Sequence, residues 1–153
     1  MMEAFRLTRE KFAGALSGKG AAIKGVRWNS VGVELIYTAS NRSLAMAVVA
    51  VHFTLATLPA DYVMVSLEIP DDIPYLQIEP GDLPTNWKEF PHPSSTQIFG
   101  DTLVSENIFC ILKIPSVVTQ GDYNLLINPK HPEFAKIRIM RIEKFPFDKR
   151  IFR

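Results

Sequence analysis

The stretch Glu34-Leu35-Ile36-Tyr37-Thr38-Ala39-Ser40-Asn41-Arg42-Ser43-Leu44-Ala45-Met46-Ala47-Val48-Val49-Ala50-Val51-His52 decides the fold class. Residues 34 to 39 include Ile36, Tyr37 and Thr38, side chains that favour a pleated strand. Ser40 or Asn41 then supplies a side-chain oxygen of the kind that caps a helix N-terminus. Residues 44 to 58 are nearly all apolar and predict a long helix ending near Pro59. At about 1.5 Å per residue that helix falls short of the roughly 30 Å of a bilayer core, and it contains His52. It therefore reads as a buried helix rather than a membrane span, with Leu44, Ala47, Val48, Val51 and Leu55 along one stripe.

Strand and helix signals recur on both sides of this unit. Thr8 is placed to cap a short helix with Phe12, Ala15 and Leu16 on one face and Gly18 as its stop. Residues 18 to 32 form a glycine-punctuated connection. Residues 62 to 69 alternate through Val63, Val65, Leu67 and Ile69, the pattern of a half-buried strand. Residues 70 to 93 hold six of the eleven prolines and read as a long ordered loop with a helical turn near Trp87. Ser94 or Ser95 caps a helix to about Val104. Strands follow at residues 109 to 114, 124 to 128 and 137 to 143. Helices and strands are interspersed without a βαβ rhythm, so the expectation is a compact α+β or mixed α/β domain spanning residues 1–153.

Composition narrows the function classes. With 153 residues, 47% hydrophobic and 22% charged, the chain suits one globular domain with a sizeable core. Seventeen Lys and Arg against sixteen Asp and Glu leave a net charge of +1, without the basic surplus of a nucleic-acid or membrane-surface binder. A lone Cys110 inside an apolar run excludes a disulfide framework and Cys-rich zinc modules, and reads as a core residue. The three histidines are dispersed, and no metal site is expected. Residues 1 to 10 carry no apolar signal core, so a cytoplasmic setting is expected. The glycines around Lys19 match neither a Walker A loop nor a dinucleotide fingerprint. Asp71, Asp72, Glu79 and Asp82 read as solvated charges.

Two pieces are left over. Arg27-Trp28-Asn29 sits between glycines and offers a cation, an indole and an amide, a set suited to a flat anionic ligand or, equally, to a structural turn. Pro115-Ser116 ends a strand, where side chains project into sites or simply turn the chain.

The order of these pieces resembles one family over nearly the whole chain. The landmarks are Gly25-Val26-Arg27-Trp28-Asn29-Ser30-Val31-Gly32, Ile36-Tyr37-Thr38-Ala39, Leu44-Ala45-Met46-Ala47, Leu83-Pro84-Thr85-Asn86-Trp87, Gly100-Asp101, Pro115-Ser116-Val117-Val118 and Asn124-Leu125-Leu126-Ile127-Asn128-Pro129-Lys130-His131-Pro132. Together they resemble the RES domain, the toxin of Xre–Res type II toxin–antitoxin modules. The resemblance implies a fold related to ADP-ribosyltransferases. It also implies degradation of NAD by a phosphorylase, in which inorganic phosphate attacks the ribose carbon bearing nicotinamide, or by a glycohydrolase. NAD would be a substrate, with no prosthetic group. It further implies a homodimer and a cognate Xre-like antitoxin that carries the DNA-binding half, so that this chain itself touches neither nucleic acid nor membrane.

By position, the family's Arg is Arg27 and its Ser is Ser116, with Arg6 and Tyr37 at two further pocket positions and Trp28 and Asn29 flanking. Arginines would clamp phosphate groups, Tyr37 would stack on or hydrogen-bond the nicotinamide riboside, and Ser116 would donate to a phosphate or ribose oxygen. The family's Glu, in a Leu-Ala-x-x-Glu setting, falls on Val48. Valine can neither stabilise positive charge on the ribose nor hold its hydroxyls. The resemblance thus implies an impaired enzyme, or a catalytically inactive protein of the same fold that only binds its antitoxin.

Overall fold

The computed structural model describes residues 1–152. Seven strands form one sheet: β1 (Met2–Arg9), β2 (Ile36–Ala39), β3 (Tyr62–Ile69), β4 (Tyr75–Gln77), β5 (Ile111–Pro115), β6 (Tyr123–Ile127) and β7 (Arg138–Lys144). Their spatial order is β4-β5-β6-β2-β1-β3-β7. All neighbours are antiparallel except the edge pair β4 and β5. Four helices accompany them: α1 (Glu10–Ala13), α2 (Lys19–Lys24), α3 (Arg42–Ala50) and α4 (Ser94–Glu106). The α+β expectation holds.

Strand alternation assigns two cores. On one face Ala4, Ile36, Val65, Leu67, Ile111, Leu125 and Ile127 pack together with Cys110, which is fully buried. Burial pushes the Cys110 thiol up to about 11, so it stays protonated as a core residue. The other face carries two clusters. Phe5, Leu7, Ala39 and Met64 lie under Leu44 and Ala45 of α3. Leu112, Ile114 and Leu126 pack with Trp28, Trp87 and Leu35, with Phe99 and Leu103 of α4 against them.

The N-terminal expectation is corrected. Thr8 caps no helix; it is the seventh residue of β1, which pairs with β3 over its whole length from Met2↔Ile69 to Arg9↔Tyr62. Ala4, Phe5 and Leu7 are buried because β1 runs through the middle of the sheet, and only one turn of helix, α1, follows. Phe12 is consequently exposed. β3 also lies inside the sheet and is buried on both faces rather than half-buried. In the proline-rich stretch, β4 and a 3-10 turn at Pro80–Asp82 supply order, and the expected turn at Trp87 is present, its N–H donating to Pro84 O at 3.0 Å.

The long apolar helix is shorter than its composition suggests. Asn41 caps it, its side chain accepting from Leu44 N at 2.8 Å. It stops at Ala50. His52 N–H bonds back three residues to Val49 O, and Thr57 Oγ1 accepts from Thr54 N, so turns replace the helix. Polar side chains that bond locally compete with helix continuation. Only Leu44 and Ala45 of α3 are buried; Val51 is 62% exposed and Leu55 49% exposed. Among the described residues no helix is long and apolar enough to cross a membrane.

Candidate functional site

The sheet opens at its centre. β1 and β2 share a single registered pair, Phe5↔Ala39. Beyond it, Arg6-Leu7-Thr8 and Thr38-Tyr37 diverge and face each other across a cleft of about 630 Å³, a size that accommodates a nucleotide-sized ligand. The split strands form its floor. The turn carrying Arg27 forms one wall, and Ala45, Val48 and Val49 of α3 form the other. Phe90 and His92 come in from the loop before α4, and Val117 and Val118 from the turn after β5.

The Arg27 turn is tight. Val26 N donates to Asn29 O at 3.0 Å, and the two residues form an isolated β-bridge, so Arg27 and Trp28 stand at its tip. Gly25 enters it at φ +67, a left-handed conformation that glycine adopts without a Cβ penalty. Buried neighbours fix the tip. The Asn29 side-chain N–H groups donate to Ala21 O, Ser30 O and Val33 O, and Trp28 meets Phe99 edge-on with centroids 6.0 Å apart. Trp28 and Asn29 are thus buried struts, and Arg27 alone of the triplet offers its side-chain charge to the cleft.

Tyr37 is committed in the same way. Its hydroxyl accepts from Trp28 N at 3.0 Å and donates to Asn29 Oδ1 at 2.7 Å. The proton that could reach a ligand is already given to Asn29, which leaves the ring face for stacking. Burial pushes the Tyr37 phenol well above its ordinary value, so it stays neutral.

Arg27 uses one nitrogen for the protein. Nη1 donates to Trp87 O at 2.9 Å and Glu89 O at 2.7 Å. An Nη carries two hydrogens, so Nη1 is used up, while the Nε and Nη2 edge that binds oxyanions bidentately has no partner among the described residues. Arg6 likewise makes no hydrogen bond or ion pair there, and burial lowers its pKa, as it does that of Arg27. Two guanidinium groups therefore face one cleft whose described lining contains no Asp or Glu. A half-buried cation without a counter-ion is an unfavourable state that a bound anion relieves.

Val48 lines the cleft on α3, half-exposed to it, and no acidic side chain replaces it. Ser116 does not line the cleft. It is 2% exposed, and its Oγ accepts from Val118 N at 3.1 Å and Thr119 N at 3.0 Å. It therefore shapes the turn that carries Val117 and Val118. The structure brings Arg6, Arg27, Trp28, Tyr37 and Val48 together on the cleft lining, with Asn29 behind and Ser116 beside. It adds His52 and His92, which sequence spacing left as scattered residues; forty positions separate them and no local pattern could join them. No group of three or more His, Cys, Asp or Glu side chains among the described residues could hold a metal.

Comparisons with known proteins agree with this architecture. The family model for the RES domain matches residues 3–148. The Prs ADP-ribosylating toxin of Sphingobium sp. (strain YBL2) is 38% identical over 141 residues, which span 90% of this chain and 87% of that protein. Toxin Res of Yersinia enterocolitica is 32% identical over 152 residues, 98% and 99% of the two chains. A chain of the M. tuberculosis MbcT–MbcA toxin–antitoxin complex superposes with a TM-score of 0.76 over 95% of this chain and 84% of that one, at 19% identity, a likeness of fold. With a family match over nearly its whole length and a close relative that is itself a toxin, the chain belongs to the RES-domain family of toxins.

Proposed function

We propose that this toxin is built to bind NAD in the central cleft and to cleave its nicotinamide–ribose bond, and that Val48 leaves the present chain impaired in the second step. The observation that carries the reading is the pair of guanidinium groups, Arg6 and Arg27, facing a cleft with no carboxylate in its described lining. NAD presents the complement: a pyrophosphate for the arginines and a flat nicotinamide ring for the face of Tyr37.

In the phosphorolytic form of the reaction, a phosphate oxygen forms a bond to the ribose C1′ as the C1′–N bond to nicotinamide breaks. The bonding pair leaves with nicotinamide, which departs neutral, and the second product is ADP-ribose 1″-phosphate. In the glycohydrolase form, water takes the place of phosphate and releases a proton. Arg6 and Arg27 hold the anionic groups, and the water-poor apolar wall strengthens those contacts. Positive charge gathers on the ribose as the bond breaks, and a carboxylate at position 48 would face it. Valine offers nothing there, and loss of one such preorganised group costs about 10²–10³ in rate.

The test is to incubate the purified chain and Val48→Glu with NAD, with and without inorganic phosphate, and to follow nicotinamide release. Val48→Glu is expected to turn over NAD far faster than the parent, and dependence on phosphate identifies phosphorolysis. If Val48→Glu gains nothing, position 48 is not where the carboxylate belongs.

A second reading is favoured by the mouth of the cleft, where Phe90 (83% exposed), Val51 and Val118 make an apolar rim. Such a rim suits a protein partner. In that reading the chain is a catalytically inactive RES-fold protein that only binds a cognate Xre-like antitoxin. NAD binding by the parent chain separates the two: retained affinity supports the impaired enzyme, and none supports the binding module. Homodimerisation and a cytoplasmic setting belong to the same proposal, as does the lack of direct contact with nucleic acid, which alone is supported by the near-neutral charge.

A further inference from the structure

The turn that carries Arg27 belongs to no helix or strand, yet a ligand-binding guanidinium must be held to within a fraction of an ångström to act. One helix does much of the holding. Gln97, Gly100 and Asp101 lie at i, i+3 and i+4 on α4 and so share a face. The Gln97 side-chain N–H groups donate to Val26 O and to Asn29 O, both at 3.1 Å, gripping the two residues that close the turn. Asp101 accepts from Ser30 N at 2.9 Å with one carboxylate oxygen and from Ser30 Oγ at 2.5 Å with the other. Between them Gly100 lets the helix touch the turn. A Cβ there would stand 1.8 Å from Trp28 O, so no other residue permits this approach.

The same helix also secures the second support of the guanidinium. Ser95 Oγ donates to Asn86 Oδ1 at 2.7 Å, next to Trp87, whose carbonyl together with that of Glu89 receives Arg27 Nη1. α4 thus fixes the backbone from which Arg27 projects and the loop on which its inner nitrogen rests. None of Ser95, Gln97 or Asp101 lines the cleft.

We propose that Gln97 and Asp101 are positioning residues for Arg27, setting its free Nε and Nη2 edge toward the anionic group of the ligand. The inference rests on the reading of the cleft as a site for a pyrophosphate-bearing ligand. Without the two clamps the turn keeps its charge and loses its fixed direction, so affinity falls while the sheet stays intact. Asp101→Asn keeps an acceptor for Ser30 N–H and can turn its amide toward Ser30 Oγ, so it is the conservative variant.

The experiment titrates the full chain, Gln97→Ala, Asp101→Ala and Asp101→Asn with NAD and, separately, with inorganic pyrophosphate by calorimetry, well below each variant's Tm. Amide exchange at Ser30 and along β5 and β6 is followed in parallel. Each alanine variant is expected to bind about tenfold more weakly, the worth of a lost buried hydrogen-bond pair, and Asp101→Asn to stay within about threefold of the parent. Exchange at Ser30 is expected to quicken at least about tenfold in Asp101→Ala while β5 and β6 keep their protection. Alanine variants that bind as the parent does, or that lower Tm alone, overturn the inference and leave the reading of the cleft standing. A parent chain that binds neither probe overturns that reading, and the inference with it.

Discussion

The two walls of the cleft are built on opposite principles. On the Arg27 side nearly every polar group is spoken for. The Tyr37 hydroxyl, the Asn29 amide and one nitrogen of Arg27 all have protein partners, and what remains free is one edge of a guanidinium. On the α3 side the wall is Ala45, Val48 and Val49, with no polar side chain until His52. The first wall is preorganised and can bind charge without reorganising. The second excludes water and supplies no counter-charge. Under the proposed function, a site of this kind favours holding an anionic substrate over stabilising the cation that would form when its glycosidic bond breaks.

The largest test of that contrast changes the apolar wall. Val48→Glu is expected to raise NAD turnover by about 10²–10³ with little change in NAD affinity, because the carboxylate acts on charge that exists only in the transition state. Its Tm is expected to fall, since the new carboxylate sits among valines. Steady-state kinetics against calorimetric affinity reads both. Next comes the polar wall. Arg27→Ala removes a charge-assisted bidentate contact and is expected to weaken NAD binding about 10- to 100-fold, and in the Val48→Glu background to lower kcat/KM by a similar factor. If Arg27→Ala binds NAD as the parent does, the two walls do not divide the work in this way.

The two walls also differ in how legible they were. The α3 wall was visible as an apolar run, and its cap as Asn41, but its end was not. The run continues to Leu58 with only His52, Thr54 and Thr57 in it, and after Ala50 turns, one of them closed by Thr54 and Thr57, replace the helix with no glycine or proline there to announce them. On the Arg27 side, motif order placed Arg6, Arg27 and Tyr37 at one site, and the structure gathers them. The roles of Asn29 and Ser116 were not readable. A polar residue that lines a cleft and one that braces it from behind have the same spelling, and only burial and hydrogen-bond partners separate them. β1 was missed because Thr8 reads as a helix cap, and the apolar–polar alternation Phe5-Arg6-Leu7-Thr8 that marks the strand is only four residues long. His52 and His92 reach one cleft only through the fold.

A smaller effect probes how Tyr37 on the polar wall stays neutral. Tyr37→Phe leaves Trp28 N–H and Asn29 Oδ1 without their partner and is expected to cost about 1–3 kcal/mol in denaturant unfolding. It should also change the alkaline limb of stability. The folded phenol titrates above its unfolded value near 10, so its contribution is complete below about pH 10 and is lost as pH rises toward the folded value. Tyr62 and Tyr123 are raised as well, so the informative quantity is the difference between parent and variant. The parent is expected to lose stability more steeply above about pH 10 than Tyr37→Phe; equal slopes would mean that Tyr37 is not held neutral.

The smallest effect isolates the apolar wall from ligand binding altogether. Asn41 caps α3 from outside the cleft, and its side chain satisfies Leu44 N–H, one of the orphan donors of the first turn. Asn41→Ala is expected to cost about 1 kcal/mol, or about 2–4 °C in Tm for a chain of this size. The loss should fall on α3 and its packing of Leu44 and Ala45 over Phe5, Leu7 and Met64. If the opposite wall holds the anion as proposed, NAD affinity measured well below Tm is expected to stay within about twofold of the parent. A larger drop would show that α3 also positions the ligand, and that the apolar wall takes part in binding as well as in excluding water.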